Sequence, residues 1–307
     1  MRVVFFGTPE FAVPSLLALV GEGFDVAAVV TQPDRPQGRS RSTLVASPVK
    51  AAAIAESLPV LQPKRPKDPE FVAELKTLNP DVGVVVAYGH ILTPELLAVP
   101  RLGMVNVHPS LLPDLRGAAP IEWAILNGLG KTGMTIMQME AGLDSGPILH
   151  QIPVSLPDGI TGGELSEHLA EVGAQALIET LAMMASDGLK PVPQHHDRAT
   201  YAPKLTRETG HITWDRDAVT VRHVIQALDP KPGAWTTLEG LEVKLFGASP
   251  TDGKGVPGEV LRAERDLVVA TGTGALSIAD VQPAGKPRMG ALDWIRGRGV
   301  RAGQRMV

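Results

Sequence analysis

The chain has 307 residues, 44% hydrophobic but only 4% aromatic, with 29 Lys and Arg against 33 Asp and Glu for a net charge of −4. It has no cysteine, which excludes a disulfide scaffold, a thiolate nucleophile, an iron-sulfur cluster and a Cys-ligated zinc, and points to a reducing compartment. Its amino-terminal apolar stretch is too short for a signal sequence and no segment approaches about 18 uninterrupted apolar residues, so a cytoplasmic protein with no membrane partner is expected.

Val3 to Phe6 is an apolar run ending at Gly7, after which Thr8 is placed to cap a helix with Pro9 at its first position and Glu10 in its first turn. Phe24 to Val30 reads as a second buried strand, followed by a Pro- and Arg-containing loop from Thr31 to Pro48. Ser47-Pro48 opens a helix through Ala55, Leu58 to Leu61 is a short strand, and Asp68 to Leu78 is helical. Val82 to Val86 is apolar on consecutive residues, the pattern of a parallel strand covered on both faces. Gly103 to Val107 is a further strand, Ile121 to Leu126 a short helix and Thr135 to Met139 an alternating strand. Repeated alternation predicts an α/β doubly wound sheet with right-handed crossovers.

From Thr161 to Ser186, Leu165, Leu169, Val172 and Ala176 fall on one helical stripe with Glu164, Glu167, His168 and Glu171 off it. Asp187 to Pro203 has three prolines and few apolar residues, a linker composition, and places the domain boundary near residue 205. Beyond it, runs at Trp235 to Leu238, Glu242 to Phe246, Gly258 to Leu261, Leu267 to Ala270 and Ala275 to Ile278 predict a small antiparallel barrel or sandwich, with a helix at Ala218 to Leu228.

Ligands of an open doubly wound sheet bind beyond the carboxyl ends of its strands. There the sequence offers Gly7 and Thr8, then Tyr88, Gly89 and His90, then Asn106, His108 and Ser110, then Asp144 on a glycine-flanked loop. Asn106 and His108 are two residues apart, so an extended segment projects both to one side. Asp144 is a candidate to orient the imidazole and keep it protonated. An amide donor, a proton carrier and a carboxylate without a nucleophile imply direct attack by a substrate amine or water on a carbonyl. Ser110 as a nucleophile lacks the G-x-S-x-G elbow. His195, His196 and Asp197 lack metal-site spacing and read as a solvated turn, and Gly272 and Gly274 read as a hairpin rather than a phosphate loop.

Asn106 to Pro113 (NVHPSLLP), Arg116 to Pro120 (RGAAP) and Gly142 to Gly146 (GLDSG) closely resemble the signature of the 10-formyltetrahydrofolate-dependent formyltransferases. Phe5 to Leu16 (FFGTPEFAVPSL), Thr31 to Arg39 (TQPDRPQGR), Ser47 to Lys50 (SPVK), Val85 to Leu92 (VVAYGHIL) and Gln282 to Met289 (QPAGKPRM) are similar to the branch of that family acting on initiator methionyl-tRNA. The resemblance covers nearly the whole chain. It implies a Rossmann-like formyl-transfer domain over residues 1–188, a linker over 189–205 and an OB-like β-barrel domain that binds tRNA over 206–307. It also implies 10-formyltetrahydrofolate as formyl donor, no metal, and a monomer.

Residue by residue, Asn106, His108 and Asp144 match the family's catalytic trio, and Ser110, Leu111, Leu112 and Pro113 its folate-binding loop. Tyr88, Gly89 and Ile91 resemble a wall of the pterin pocket. Arg35, Arg39 and Arg41 lie in the loop that reaches the tRNA acceptor stem in this branch, with Arg39 best matched; Ser40, Ser42 and Thr43 stand where a denser lysine run is familiar. Other acceptors on the same chemistry, a nucleotide-sugar amine or glycinamide ribonucleotide, are disfavoured by the second domain and the arginine loop. A Rossmann dehydrogenase would lack its G-x-G-x-x-G cradle. The acidic total argues only against broad nonspecific coating of nucleic acid, because residues 1–205 carry 15 basic and 21 acidic side chains while 206–307 carry 14 and 12.

Overall fold

The structure is a computed structural model and describes residues 1–37, 43–186 and 188–307. The chain divides into two compact units. The first comprises Met1–Gly117, Thr132–Val154 and Ser166–Tyr201, and the second Ala118–Lys131, Ser155–Leu165 and Ala202–Val307. The units are therefore interleaved in sequence. Most of the Pro-rich segment expected to be a linker runs with the first unit.

The first unit opens with β1 (Arg2–Gly7), whose last five residues are buried. A single 3-10 turn then leads into α1 (Val13–Gly21). Thr8 caps neither element: Pro9 occupies the N-cap position of the 3-10 turn and Ala12 that of α1, and the Thr8 hydroxyl donates instead to the Tyr88 carbonyl at 3.2 Å. β2 (Asp25–Val30) follows, then a small hairpin of β3 (Arg35–Gln37) and β4 (Thr43–Val45) within the expected loop. α2 (Pro48–Ala55) starts where Ser47 and Pro48 predict it, with Ser47 Oγ accepting from Lys50 N at 3.1 Å. After β5 (Val60–Leu61) come α3 (Pro69–Thr77), β6 (Val82–Val86), the short α4 (Pro94–Leu97), β7 (Met104–His108) and β8 (Arg116–Gly117).

α5 (Pro120–Leu126) belongs to the second unit, and β9 (Lys131–Gln138) and β10 (Ile148–Ser155) complete the large sheet. Its order is β10-β9-β7-β6-β1-β2-β5. The chain moves from β1 outward through β2 and β5, then returns to β6 on the other side of β1, so the topological switch point lies between β1 and β6. β9 runs antiparallel to β7, making the sheet mixed rather than wholly parallel. The long α6 (Gly162–Ala185) buries Leu165, Leu169 and Ala176 on the stripe expected for it.

Phe71, Val72 and Leu75 of α3 pack with Val4, Phe6, Val30, Val85, Leu96 and Met104 in one apolar cluster. These positions are one and four residues along a helix from Phe71, the spacing that turns one face inward.

In the second unit, β11 (Tyr201–Ala202) marks entry and α7 (Ala218–Ala227) starts on Asp217, whose carboxylate accepts from Val219 N and Thr220 N. β12 (Ala234–Leu238), β13 (Leu241–Thr251), β14 (Val260–Ala263), β15 (Leu267–Ala270) and β16 (Ala275–Pro283) form an antiparallel sheet in the order β12-β13-β16-β15-β14, with β17 (Met289–Gly290) beside β16 before α8 (Ala291–Arg296). The carboxyl-terminal segment bridges both edges: Met306 pairs with Leu238 of β12, and Arg305 with Glu259 beside β14. That segment turns an open sheet into a barrel and hides both edges. Gly272 and Gly274 lie in the tight turn between β15 and β16, where Thr271 N donates to Gly274 O at 3.0 Å.

Because Leu75 is fully buried, Leu75→Ala leaves a cavity in the first unit and costs about 2–5 kcal/mol. Urea unfolding reports this as a lower midpoint; an unchanged midpoint would contradict the packing described.

Candidate active site

β7 has the burial pattern of an interior strand except at Asn106, which is half-buried. Asn106 and His108 sit two apart on it and so share a face at its carboxyl end. Opposite His108 on β9 is Thr135, and this one hydroxyl organises the following loop. It donates to Ser110 O at 2.6 Å and accepts from Leu112 N at 3.1 Å and from the Gln151 carboxamide at 2.9 Å. Gln151 also donates to Leu112 O at 2.9 Å. Ser110 Oγ donates to Asp114 O at 2.5 Å, so it is occupied in the turn and not aligned on an imidazole as a nucleophile would be.

His108 is only 4% exposed. Its Nε2 lies 3.1 Å from Leu115 O, and since a carbonyl only accepts, Nε2 carries a proton. Nδ1 faces Asp144 Oδ2 at 3.8 Å, beyond hydrogen-bond range. Asp144 Oδ2 is itself held by Gly117 N at 2.8 Å. Burial pushes the His108 pKa down, and although the Asp144 charge and the Leu115 carbonyl pull it up, they do not outweigh burial; the nearby Arg116 cation also lowers it. The expectation that Asp144 keeps His108 charged is therefore corrected for the free protein. Burial thus favours the neutral imidazole, whose lone pair then lies on Nδ1 beside a carboxylate.

Asp144 sits in a left-handed backbone conformation, with φ at 49°. Gly146 closes the loop against β9: a Cβ there would collide with the Gln138 carbonyl, so no other residue fits.

The pterin-wall residues are spread out. Tyr88 is 1% exposed and packs edge-on against Phe6 at 5.4 Å, and burial pushes its phenol up to about 12. Its hydroxyl has no hydrogen-bond partner among the described residues, and its carbonyl already accepts from Thr8 and from Gln32 Nε2. Gly89, at a φ of 80°, is exposed, and Ile91 is 93% exposed. In the loop after β7, Leu112 is buried while Leu111 and Pro113 are half-buried. Ser110 and Leu112 thus shape the loop, and Leu111 and Pro113 offer it apolar surface.

Arg35 is exposed and donates to Gln32 Oε1. Arg39 and Arg41 lie outside the described residues. Behind the hairpin, Lys50 Nζ bonds Asp34 at 2.7 Å and Gln62 at 2.8 Å, holding the Asp34 carboxyl below its ordinary range. A cleft of about 330 Å³ at the switch point is lined by Thr8, Gln32, Arg35, Ser47 and Ala87 among others.

Two side chains without an assigned role from sequence complete the site. Arg116 is 4% exposed and donates through Nε and Nη2 to Gln194 Oε1, and through Nη2 to His196 Nδ1 at 3.1 Å. The turn holding His196 is thus tied to the site rather than merely solvated.

The chain belongs to the formyl transferase family: residues 1–181 match the formyl transferase domain and 204–299 the formyl transferase C-terminal domain. It is 48% identical to the methionyl-tRNA formyltransferase of Magnetococcus marinus over 99% of this chain and 98% of that one. It is 47% identical to the methionyl-tRNA formyltransferase of Roseiflexus castenholzii over 100% of this chain and 99% of the relative. Among solved structures, HypX from Aquifex aeolicus in complex with tetrahydrofolic acid shares the fold with a TM-score of 0.70 at 21% identity, covering 98% of this chain and 48% of that one.

A histidine whose folded pKa is lowered binds fewer protons than in the unfolded chain, so the stability it contributes is fully present above the ordinary pKa near 6.5 and declines as pH falls from there toward the folded value. Wild type therefore loses more thermal stability between pH 7.5 and about 5.5 than His108→Gln does. Equal losses would place the lowered pKa elsewhere.

Proposed function

We propose that the chain transfers the formyl group of 10-formyltetrahydrofolate to the α-amine of initiator methionyl-tRNA, giving N-formylmethionyl-tRNA for translation initiation. The observation that carries the chemistry is the His108 ring: buried, neutral, with Nε2 committed to Leu115 O and Nδ1 open beside Asp144. Such a ring takes a proton only at Nδ1, and the imidazolium so formed lies next to a carboxylate.

The neutral amine attacks the formyl carbon. Its new C–N bond forms as the carbonyl π electrons move to oxygen, and the Asn106 amide, on the same strand face, donates to that oxyanion. His108 Nδ1 removes the proton that the attacking nitrogen must lose, with Asp144 stabilising the cation, and returns it to N10 of the folate as the C–N10 bond breaks. Protons balance, and neither a covalent enzyme intermediate nor a metal is required. Leu111 and Pro113 line the folate side of the loop, with Ser110 and Leu112 holding its shape. Tyr88, Gly89 and Ile91 belong to the segment bordering the pterin.

Arg35, Arg39 and Arg41 supply positive charge toward tRNA phosphates, and the second unit adds a further binding surface. The proposal places the enzyme in the cytoplasm as a monomer, where its product enters translation. The full-length similarity to methionyl-tRNA formyltransferases favours this acceptor over a sugar amine or glycinamide ribonucleotide.

Formyl transfer assayed with methionyl-tRNA, free methionine and a nucleotide-sugar amine is expected to be efficient with the first alone. Asn106→Ala, His108→Ala and Asp144→Ala each lower kcat/KM by about 100-fold or more. Turnover within a few-fold of wild type in all three would remove the trio from the mechanism. Arg39→Ala raises the KM for methionyl-tRNA while leaving that for the folate unchanged; an unaltered tRNA dependence would remove Arg39 from the interface.

A further inference from the structure

Gln194 lies in the Pro-rich segment between α6 and β11, yet it is 6% exposed. Its carboxamide uses every bonding position. Oε1 accepts both bonds from the buried Arg116 guanidinium, and Nε2 donates to Asp144 O at 2.9 Å and Gly146 O at 2.7 Å. Asp144 occupies the left-handed region, uncommon for a non-glycine residue although Asp enters it more readily than most, so neighbouring bonds help decide whether the loop stays there. Gln194 grips the carbonyl of that residue and the carbonyl two residues on. Six residues further, Thr200 accepts from Arg116 N at 2.9 Å through its carbonyl and from Leu115 N at 2.8 Å through its hydroxyl. One segment therefore fixes both groups that face the His108 ring: the Asp144 loop on the Nδ1 side and Leu115 on the Nε2 side.

We propose that Gln194 is a positioning residue for formyl transfer, its carboxamide locked by Arg116 so that the Asp144 backbone stays in the conformation that presents the carboxylate to His108 Nδ1. This rests on the reading that His108 and Asp144 carry the chemistry. The Gln194 carboxamide is uncharged, so it supplies geometry without adding a charge beside Asp144. Losing it frees the loop to relax out of the left-handed conformation and take the carboxylate with it.

Gln194→Glu separates the two ends of the clamp. A carboxylate still accepts from Arg116 but sets oxygens against the Asp144 and Gly146 carbonyls, losing both donated bonds. Gln194→Met, of similar length and uncharged, is made alongside so that a folding failure of the glutamate variant leaves the experiment intact. Steady-state kinetics with 10-formyltetrahydrofolate and methionyl-tRNA are expected to show kcat lowered about 10- to 100-fold in either variant, both KM values within about twofold of wild type, and a displaced pH-rate limb. In the Asp144→Ala background the same Gln194 substitution costs no more than about twofold, because the residue acts through Asp144. A Gln194 variant that folds and turns over within twofold of wild type overturns the proposal, as does an equal fold-loss in both backgrounds, the mark of a general structural role. If Asp144→Ala itself stays within a few-fold of wild type, the reading of the site fails instead.

Discussion

The site depends on an imidazole buried with one nitrogen already spent. At 3.8 Å and an effective dielectric of about 20, the attraction between Asp144 and a charged His108 is roughly 4 kcal/mol. Removing a cation from water costs several kcal/mol even in a relaxed protein interior. Burial is the largest influence on the ring and favours its neutral form, and Arg116 adds a smaller push in the same direction. The consequence is a resting state with a lone pair on Nδ1 and a carboxylate nearby. In the mechanism proposed above, a proton arriving from substrate would create the ion pair as it is needed, whereas a permanently charged ring would have no capacity to accept one.

This arrangement needs backbone to be held from several directions. Leu115 must turn its carbonyl inward, Gly117 must aim its N–H at Asp144, and the loop after β7 must fold back over β9. An all-parallel sheet would send the chain from β7 into a crossover helix. Here β9 runs antiparallel to β7, so Thr135 comes level with His108 and a single hydroxyl ties Ser110, Leu112 and Gln151 together. The reversal of strand direction is thus a condition for the compact loop that carries the folate-family motif.

The strands with consecutive apolar residues were legible in the sequence, as was the pairing of Asn106 with His108 by alternation. Other features were hidden for physical reasons. β10 carries polar residues and Pro153 among half-buried positions, so it has neither the alternation of an amphipathic strand nor the run of a buried one. Thr8 and Pro9 fit a helix start, but the hydroxyl finds the Tyr88 carbonyl instead, a partner 80 residues away that no local pattern reveals. Residues 188–203 look like a linker because their contribution is made in the hydrogen bonds of Gln194 and Thr200 rather than in apolar burial. RGAAP stands out as a motif, yet nothing local shows that the Arg116 side chain is an interior clamp instead of a surface cation.

The same distinction governs the basic residues of the second unit. Arg207, Arg222, Arg262 and Arg296 pair with Glu242, Asp158, Asp266 and Asp293, so a count of charges overstates the field that a phosphate would meet. Exposed pairs of this kind add little, and a phosphate can replace the carboxylate at small cost; Arg222 is the exception, with a side chain only 12% exposed. Arg288 is different. It bonds the buried Asp229, reaches Asp280 and lies 4.1 Å over the Phe246 ring, and stripping those partners would disturb the barrel. The QPAGKPRM segment therefore divides by physics: the Arg288 guanidinium, though at the surface, is committed to Asp229, Asp280 and the Phe246 ring, whereas Lys286 at the turn is exposed.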